Sequence, residues 1–248
     1  MRVFKLVLAY DGSNYSGWQV QPGRTTLQGA LEEALGRITG QAVRVSGSGR
    51  TDAGVHALGQ VASFQSETSL SADVLHKALH AELPRDMAVV SVAEAAADFH
   101  ARARAVRKRY RYQLDDRPIR DVFTRRYAWH CRYRLDAVAM HRAAQSLVGR
   151  HDFSSFETSG SKRQSSVRTV FEILVERAAG DSQGGISLEI EADGFLYNMV
   201  RTIVGTLVEA GRGVRSEQWP AEVLAARDRK AAGQTAPACG LFLLRVDY

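Results

Sequence analysis

The 248-residue sequence predicts an α+β fold: two ferredoxin-like halves, 1–106 and 107–248, whose mainly antiparallel sheets merge around a central cleft. Three observations predict it. Between residues 3 and 93 the apolar period switches between two and 3.6 in the order β-α-β-β-α-β, the split βαβ arrangement. The remainder repeats the theme of amphipathic helices among strands. No low-complexity linker separates the halves, so their sheets are expected to merge or abut.

Val3 to Tyr10 is rich in β-formers, and its Lys and apolar residues alternate up to Asp11-Gly12, which reads as a first strand and not as a leader segment. A loop rich in Gly, Asn and Pro follows. Leu27, Leu31, Ala34, Leu35 and Ile38 recur at helical spacing, with Thr25 or Thr26 placed to cap the start and Gly40 to end it. Val43 to Ser48 and Gln60 to Gln65 read as strands around a glycine-rich run. Ser71 caps a helix through about His80 that Pro84 closes, and Met87 to Ala93 is a further strand.

In the second half Arg109 to Leu114 alternates as a strand and Arg126 to Tyr133 forms another. Leu135 to Val148 is a helix ended by Gly149. Val167 to Arg177 and Ile186 to Ala192 pair around the polar turn Gly180 to Gly185. Leu196 to Gly211 is helical, with Leu196, Met199, Val200, Ile203, Val204 and Leu207 as its core face. Pro220 sits early in a helix through about Lys230, and Leu241 to Val246 is the last strand.

Apolar residues make up 45% of the chain and charged residues 24%, a globular balance, and no window approaches the roughly 20 apolar residues a membrane span requires. Cys131 and Cys239 lie far apart without metal-like or redox-like spacing, which points to reduced thiols in a cytoplasmic protein. The seven histidines show no ligand spacing, so no metal site is expected.

Charge is uneven. The chain carries a formal +6, yet Arg102 to Arg134 alone holds twelve basic residues against Asp115, Asp116 and Asp121. Arginine forks bind phosphate oxygens, and Tyr110, Tyr112, Tyr127, Trp129 and Tyr133 interleave stacking surfaces with them. A solvated basic face would carry the same charge; charge together with aromatics points to a nucleic-acid-binding cleft.

The run GSGRTDAGVHALGQ, 47 to 60, packs four glycines around Arg-Thr-Asp. It lacks the Gly-Lys-Ser/Thr of a phosphate loop, and a carboxylate would repel phosphate. The glycines instead permit positive φ and close approach of a ligand or another backbone. Asp52 either caps its own loop as an Asx-turn or stands as an ionised acid, held charged if Arg50 pairs with it. His56, four residues on, is a possible acid-base partner. A non-catalytic RNA-binding module would share the basic cleft, but an anion in a phosphate groove costs affinity unless it acts.

GRTDAGVHALGQVASF (49–64) resembles the catalytic motif of the tRNA pseudouridine synthase A (TruA) family. Further segments match in family order: LAYDGSNYSGWQVQP (8–22), FHARARAVRKRYRY (99–112), GRHDFSSF (149–156), FLYNMVRTIVG (195–205) and GLFLLRVDY (240–248). The resemblance covers nearly the whole chain. ELPRD at 82–86 departs from the family's N-x-x-L-P, and 158–166 is variable; both concern substrate contacts and not the carboxylate.

The resemblance implies isomerisation of uridine to pseudouridine in tRNA, at positions 38 to 40 of the anticodon arm, without cofactor or metal. Asp52 is implied as catalytic carboxylate, either nucleophile at C1′ or base at the 2′ position. Arg50 is implied to occupy the space left by the everted nucleotide, Tyr110 to stack on the target base and assist deprotonation at C5, and Arg201 to pair with the catalytic Asp. A homodimer acting on tRNA is implied as the assembly.

Overall fold

The computed structural model describes residues 1–158, 165–178 and 185–248. The described elements begin β1 (Arg2–Tyr10), α1 (Leu27–Thr39), β2 (Val45–Gly47), β3 (His56–Ser66), α2 (Ala72–Glu82), β4 (Met87–Ala95). They continue β5 (Arg107–Asp115), β6 (Trp129–His130), α3 (Ala137–Ala144), β7 (Gly149–Asp152), β8 (Val167–Arg177), β9 (Ile186–Ala192), α4 (Met199–Gly211), α5 (Trp219–Ala226) and β10 (Leu241–Asp247). Short 3-10 turns join several of them. The chain divides into two compact units, Met1–Val106 with Phe242–Tyr248, and Arg107–Leu241. The closing residues thus group with the first unit, whereas the sequence places them in the second half.

In the first unit β1 lies between β4 and β3, antiparallel to both, with Leu6 opposite Ala62 on one side and Val92 on the other. The far side of β3 takes β2 antiparallel, Gly47 opposite Ala62, and β10 parallel, Phe242 opposite His56. Phe4, Leu6 and Leu8 alternate into the core, as the period of two requires. Helix α1 buries Leu27, Leu31, Ala34 and Leu35; Thr26 caps it, accepting from Gly29 N–H, and Gly40 ends it at φ +66°. Ser71 caps α2 by accepting from Val74 N–H.

In the second unit β9 lies between β5 and β8, antiparallel to both, and β7 continues from β8. Helix α3 packs on β8 and against α4, whose buried face includes Met199, Val200, Ile203, Val204 and Leu207.

Several boundaries differ from expectation. β3 begins at His56, not Gln60, because Gly59, which reads as loop, lies inside the strand where Leu244 passes: a Cβ there would stand 2.3 Å from Leu244 O. The strand expected over 126–133 contracts to Trp129–His130. The helix expected to reach Val148 stops at Ala144 and tightens into a 3-10 turn, and Gly149 at φ +114° opens β7, a strand its sequence does not announce. α4 starts at Met199, after Asn198 in the left-handed region, and α5 ends at Ala226, before Arg227 at φ +50°. Of the turn expected at 180–185, only Gly185 falls among the described residues.

Candidate active site

Asp52 stands in the loop between β2 and β3, half-buried. A polar stem under the loop holds it. Ser48 N–H donates to Val61 O at 2.7 Å, the Ser48 hydroxyl to Gln60 Oε1 at 2.6 Å, and Gln60 Nε2 to Gly49 O at 3.0 Å. Gln60 is fully buried, so each of these bonds satisfies a group that would otherwise be costly to desolvate. Thr51, the residue before Asp52, is fixed twice. Its carbonyl accepts from Trp18 N–H at 2.9 Å, and its hydroxyl lies 2.9 Å from Tyr10 Oη. Burial pushes the Tyr10 hydroxyl up to about 12, against hydrogen bonds from Thr51 and Gln60 that act the other way, so Tyr10 stays protonated under Thr51.

After Asp52 the chain turns sharply. Val55 N–H donates to Asp52 O at 3.1 Å, and Gly54 has φ +78°, the positive angle a type II turn needs at its third residue. The glycines at the ends of the run serve internal packing. A Cβ at Gly47 would stand 2.6 Å from the Trp18 ring, and Gly59 meets Leu244 as described. Close approach is therefore made by the protein's own chain at these two positions, where the sequence also allowed for a ligand.

His56 is 1% exposed. Its Nδ1 lies 3.1 Å from Asp11 Oδ1 and 3.2 Å from Gly12 N, and its ring stacks on Phe242 at 4.7 Å between centroids. These contacts tie the Asp11-Gly12 turn to the start of β3. Asp11 also accepts from Ser13 N–H and its hydroxyl, and Tyr15 Oη donates to Asp86 Oδ1 at 2.5 Å. Trp18 braces the catalytic-loop candidate directly and Asp11 does so through His56, while Tyr15 is anchored on Asp86. Arg50 is exposed and takes part in no ion pair among the described residues.

Tyr110 and Arg201 lie in the second unit. Tyr110 is 8% exposed on β5, its ring edge-on to Phe195 at 5.1 Å. Arg201 sits in the first turn of α4. Its Nε donates to Ala236 O at 2.7 Å and its Nη1 to Asn198 Oδ1 at 2.8 Å. Sequence reasoning does not single out Asn198, which falls inside the helix expected from Leu196.

Part of the basic segment is neutralised by ion pairs. Arg109 pairs with Glu191, Glu189 and Glu172 at 3.0, 3.1 and 2.5 Å, and Arg111 with Glu189 at 2.7 Å. Arg109 and Glu191 are direct cross-strand partners, as are Arg111 and Glu189. A bulge at Phe171 lets Glu172 face Glu191. Burial raises Glu189, but Arg111 and Arg109 outweigh it and hold its carboxyl below the usual range. Arg117 pairs with Asp115 and Asp121, Arg134 and Arg177 with Asp116, and Arg104 with Asp98. Arg109 and Arg111 on β5 are thus held in ion pairs with glutamates of the neighbouring strands. Arg102, Arg120 and Arg132 are exposed and make no ion pair among the described residues. No three His, Cys, Asp or Glu side chains among the described residues converge as metal ligands would.

A family model described as tRNA pseudouridine synthase matches residues 6–102 and 143–248. The chain belongs to the tRNA pseudouridine synthase A family. The tRNA pseudouridine synthase A of Brevibacillus brevis is 48% identical over 248 residues, all of both chains. That of Moorella thermoacetica is 49% identical over 251 residues, again all of both, and that of Geobacillus kaustophilus 50% over 246 residues, 98% of this chain and 93% of the relative. As a tRNA pseudouridine synthase the chain is an isomerase, and the loop around Asp52 carries the motif by which the sequence resembles the family.

Proposed function

We propose that the protein converts uridine to pseudouridine in the anticodon arm of tRNA, at positions 38 to 40, with Asp52 as the catalytic carboxylate. The reaction breaks the N1–C1′ bond, turns the uracil, joins C5 to C1′, moves a proton from C5 to solvent and returns one to N1. It is redox-neutral and needs no cofactor. Asp52 either attacks C1′ as the base departs or removes the 2′ proton. The observation that carries the reading is the rigid support around Thr51: a carboxylate held by a satisfied polar stem is preorganised for one geometry.

The first unit supplies Asp52, and the second supplies Tyr110 and Arg201. Arg50, exposed beside Asp52, fills the stack vacated by the everted nucleotide. Tyr110 stacks on the target base and assists deprotonation at C5, and Arg201 pairs with Asp52. The assembly is a cytoplasmic homodimer, as the family resemblance implies. No described helix is long and apolar enough to cross a membrane. The test is to map pseudouridine in unmodified tRNA transcripts after treatment with the protein. New pseudouridine confined to positions 38 to 40 supports the reading; modification elsewhere, or none, contradicts it.

A further inference from the structure

Asn198 occupies the N-cap position of α4 and does not cap it. Asparagine is favoured at that position because its Oδ1 accepts from first-turn amides while its backbone stays extended. Here φ is +60°, one of two positive values for non-glycine residues among those described, and no side-chain capping bond forms. Oδ1 accepts from Arg201 Nη1 at 2.8 Å, while Nδ2 donates to Thr158 Oγ1 at 3.1 Å. The guanidinium has donors only, which fixes the amide's orientation. Thr158 is held in turn, its N–H donating to Tyr197 O at 3.1 Å. At the other end of the guanidinium, Nε donates to Ala236 O, and Ala236 N–H donates back to Arg201 O at 3.1 Å.

A left-handed backbone kept together with an unused cap marks a residue held for something other than its helix. We propose that Asn198 is a positioning residue for the isomerase: its Oδ1 sets the orientation in which Arg201 presents its charge. This rests on the reading of Arg201 as the partner of Asp52. A neutral amide suits the task. A carboxylate at 198 would form an ion pair with Arg201 and compete with Asp52, whereas the amide orients the guanidinium and leaves its charge in place.

The test uses Asn198→Gly, because glycine adopts φ +60° without strain and the change removes only the amide. Single-turnover tritium release from C5-labelled tRNA is measured with saturating enzyme, alongside tRNA affinity, for wild type, Asn198→Gly, Arg201→Ala and the double variant. Asn198→Gly should slow release about tenfold, the scale of one charge-assisted hydrogen bond. Affinity should stay within about twofold, and the double variant should be no slower than Arg201→Ala alone. Thr158→Val, which removes only the anchor of Nδ2, should slow release about threefold, and again not in the Arg201→Ala background. Wild-type rates in both Asn198→Gly and Thr158→Val overturn the proposal, as does a full additional loss in the Arg201→Ala background. An Arg201→Ala variant as fast as wild type would instead sink the reading of Arg201, and this inference with it.

Discussion

Gly17 and Thr51 touch backbone to backbone, so closely that a Cβ on Gly17 would stand 2.8 Å from the Thr51 carbonyl oxygen. The same Cβ would lie 3.2 Å from the carbonyl carbon of Asp52, and Gly17 has φ +89°. Gly17→Ala should therefore do two things. It should lower stability by about 1–2 kcal/mol through left-handed strain, seen in urea unfolding. It should also displace Asp52 and cut the chemical step by about a hundredfold, since misplacements near 1 Å are that costly. A stable variant with wild-type turnover would show that this contact does not position the carboxylate.

The hydroxyl pair under the loop predicts a stability effect of its own. Thr51→Val removes the partner of the buried Tyr10 hydroxyl and leaves Gln60 Nε2 at 3.4 Å as its remaining contact. The expected loss is about 1–3 kcal/mol. Adding Tyr10→Phe should cost less than the sum of the single changes, because no hydroxyl is then left unsatisfied.

Arg109 and the exposed arginines should separate stability from RNA binding. Arg109→Ala removes the cross-strand partner of Glu191, 6% exposed at its side chain, and leaves it the longer contact with Arg107 at 3.4 Å. It should destabilise the protein by about 2–4 kcal/mol and leave the salt dependence of tRNA binding unchanged. Arg120→Ala with Arg132→Ala should leave the melting temperature near wild type. The slope of log affinity against log salt should fall by about one for each RNA phosphate that no longer meets a guanidinium. A flattened slope for Arg109→Ala would contradict the pairing.

Asp116 predicts a pH dependence. Burial raises its carboxyl, but bonds from Arg177 and Leu135 N–H and the charges of Arg177 and Arg134 outweigh it, holding the group below the usual carboxylate range. Its folded value is thus depressed. The stability it contributes is complete above the unfolded value of about 3.9 and is lost as pH falls through the folded value. Wild type should exceed Asp116→Asn in stability at neutral pH, and the difference should shrink below about pH 4. A difference that stays constant down to the lowest pH at which the protein folds would mean the carboxylate is not the stabilising form.

Most of the fold is legible in local signals. α1 and α2 announce themselves by apolar spacing and by Thr26 and Ser71, whose capping bonds depend only on near neighbours. β8 and β9 lie where alternation places them. Distant contacts set the rest. Gly59 reads as loop until Leu244 is beside it, and Gly149 as a stop until β8 pairs with the residues it opens. The basic strip misleads when charge is counted along the chain. Arg109 and Arg111 alternate on one strand and Glu189 and Glu191 on another, so period two already holds the ion pairs. The family motif is legible in the loop that carries Asp52. The Tyr10–Thr51 bond and the Asn198–Arg201 bond are not, because each joins residues through side-chain geometry that no spacing encodes.

The most direct measurement is tritium release to water from C5-labelled tRNA by Asp52→Asn and Asp52→Ala, each compared with wild type at saturating enzyme. Both variants should bind tRNA about as well as wild type and release no label over background. Label released at the wild-type rate by either correctly folded variant would remove the carboxylate from the chemistry.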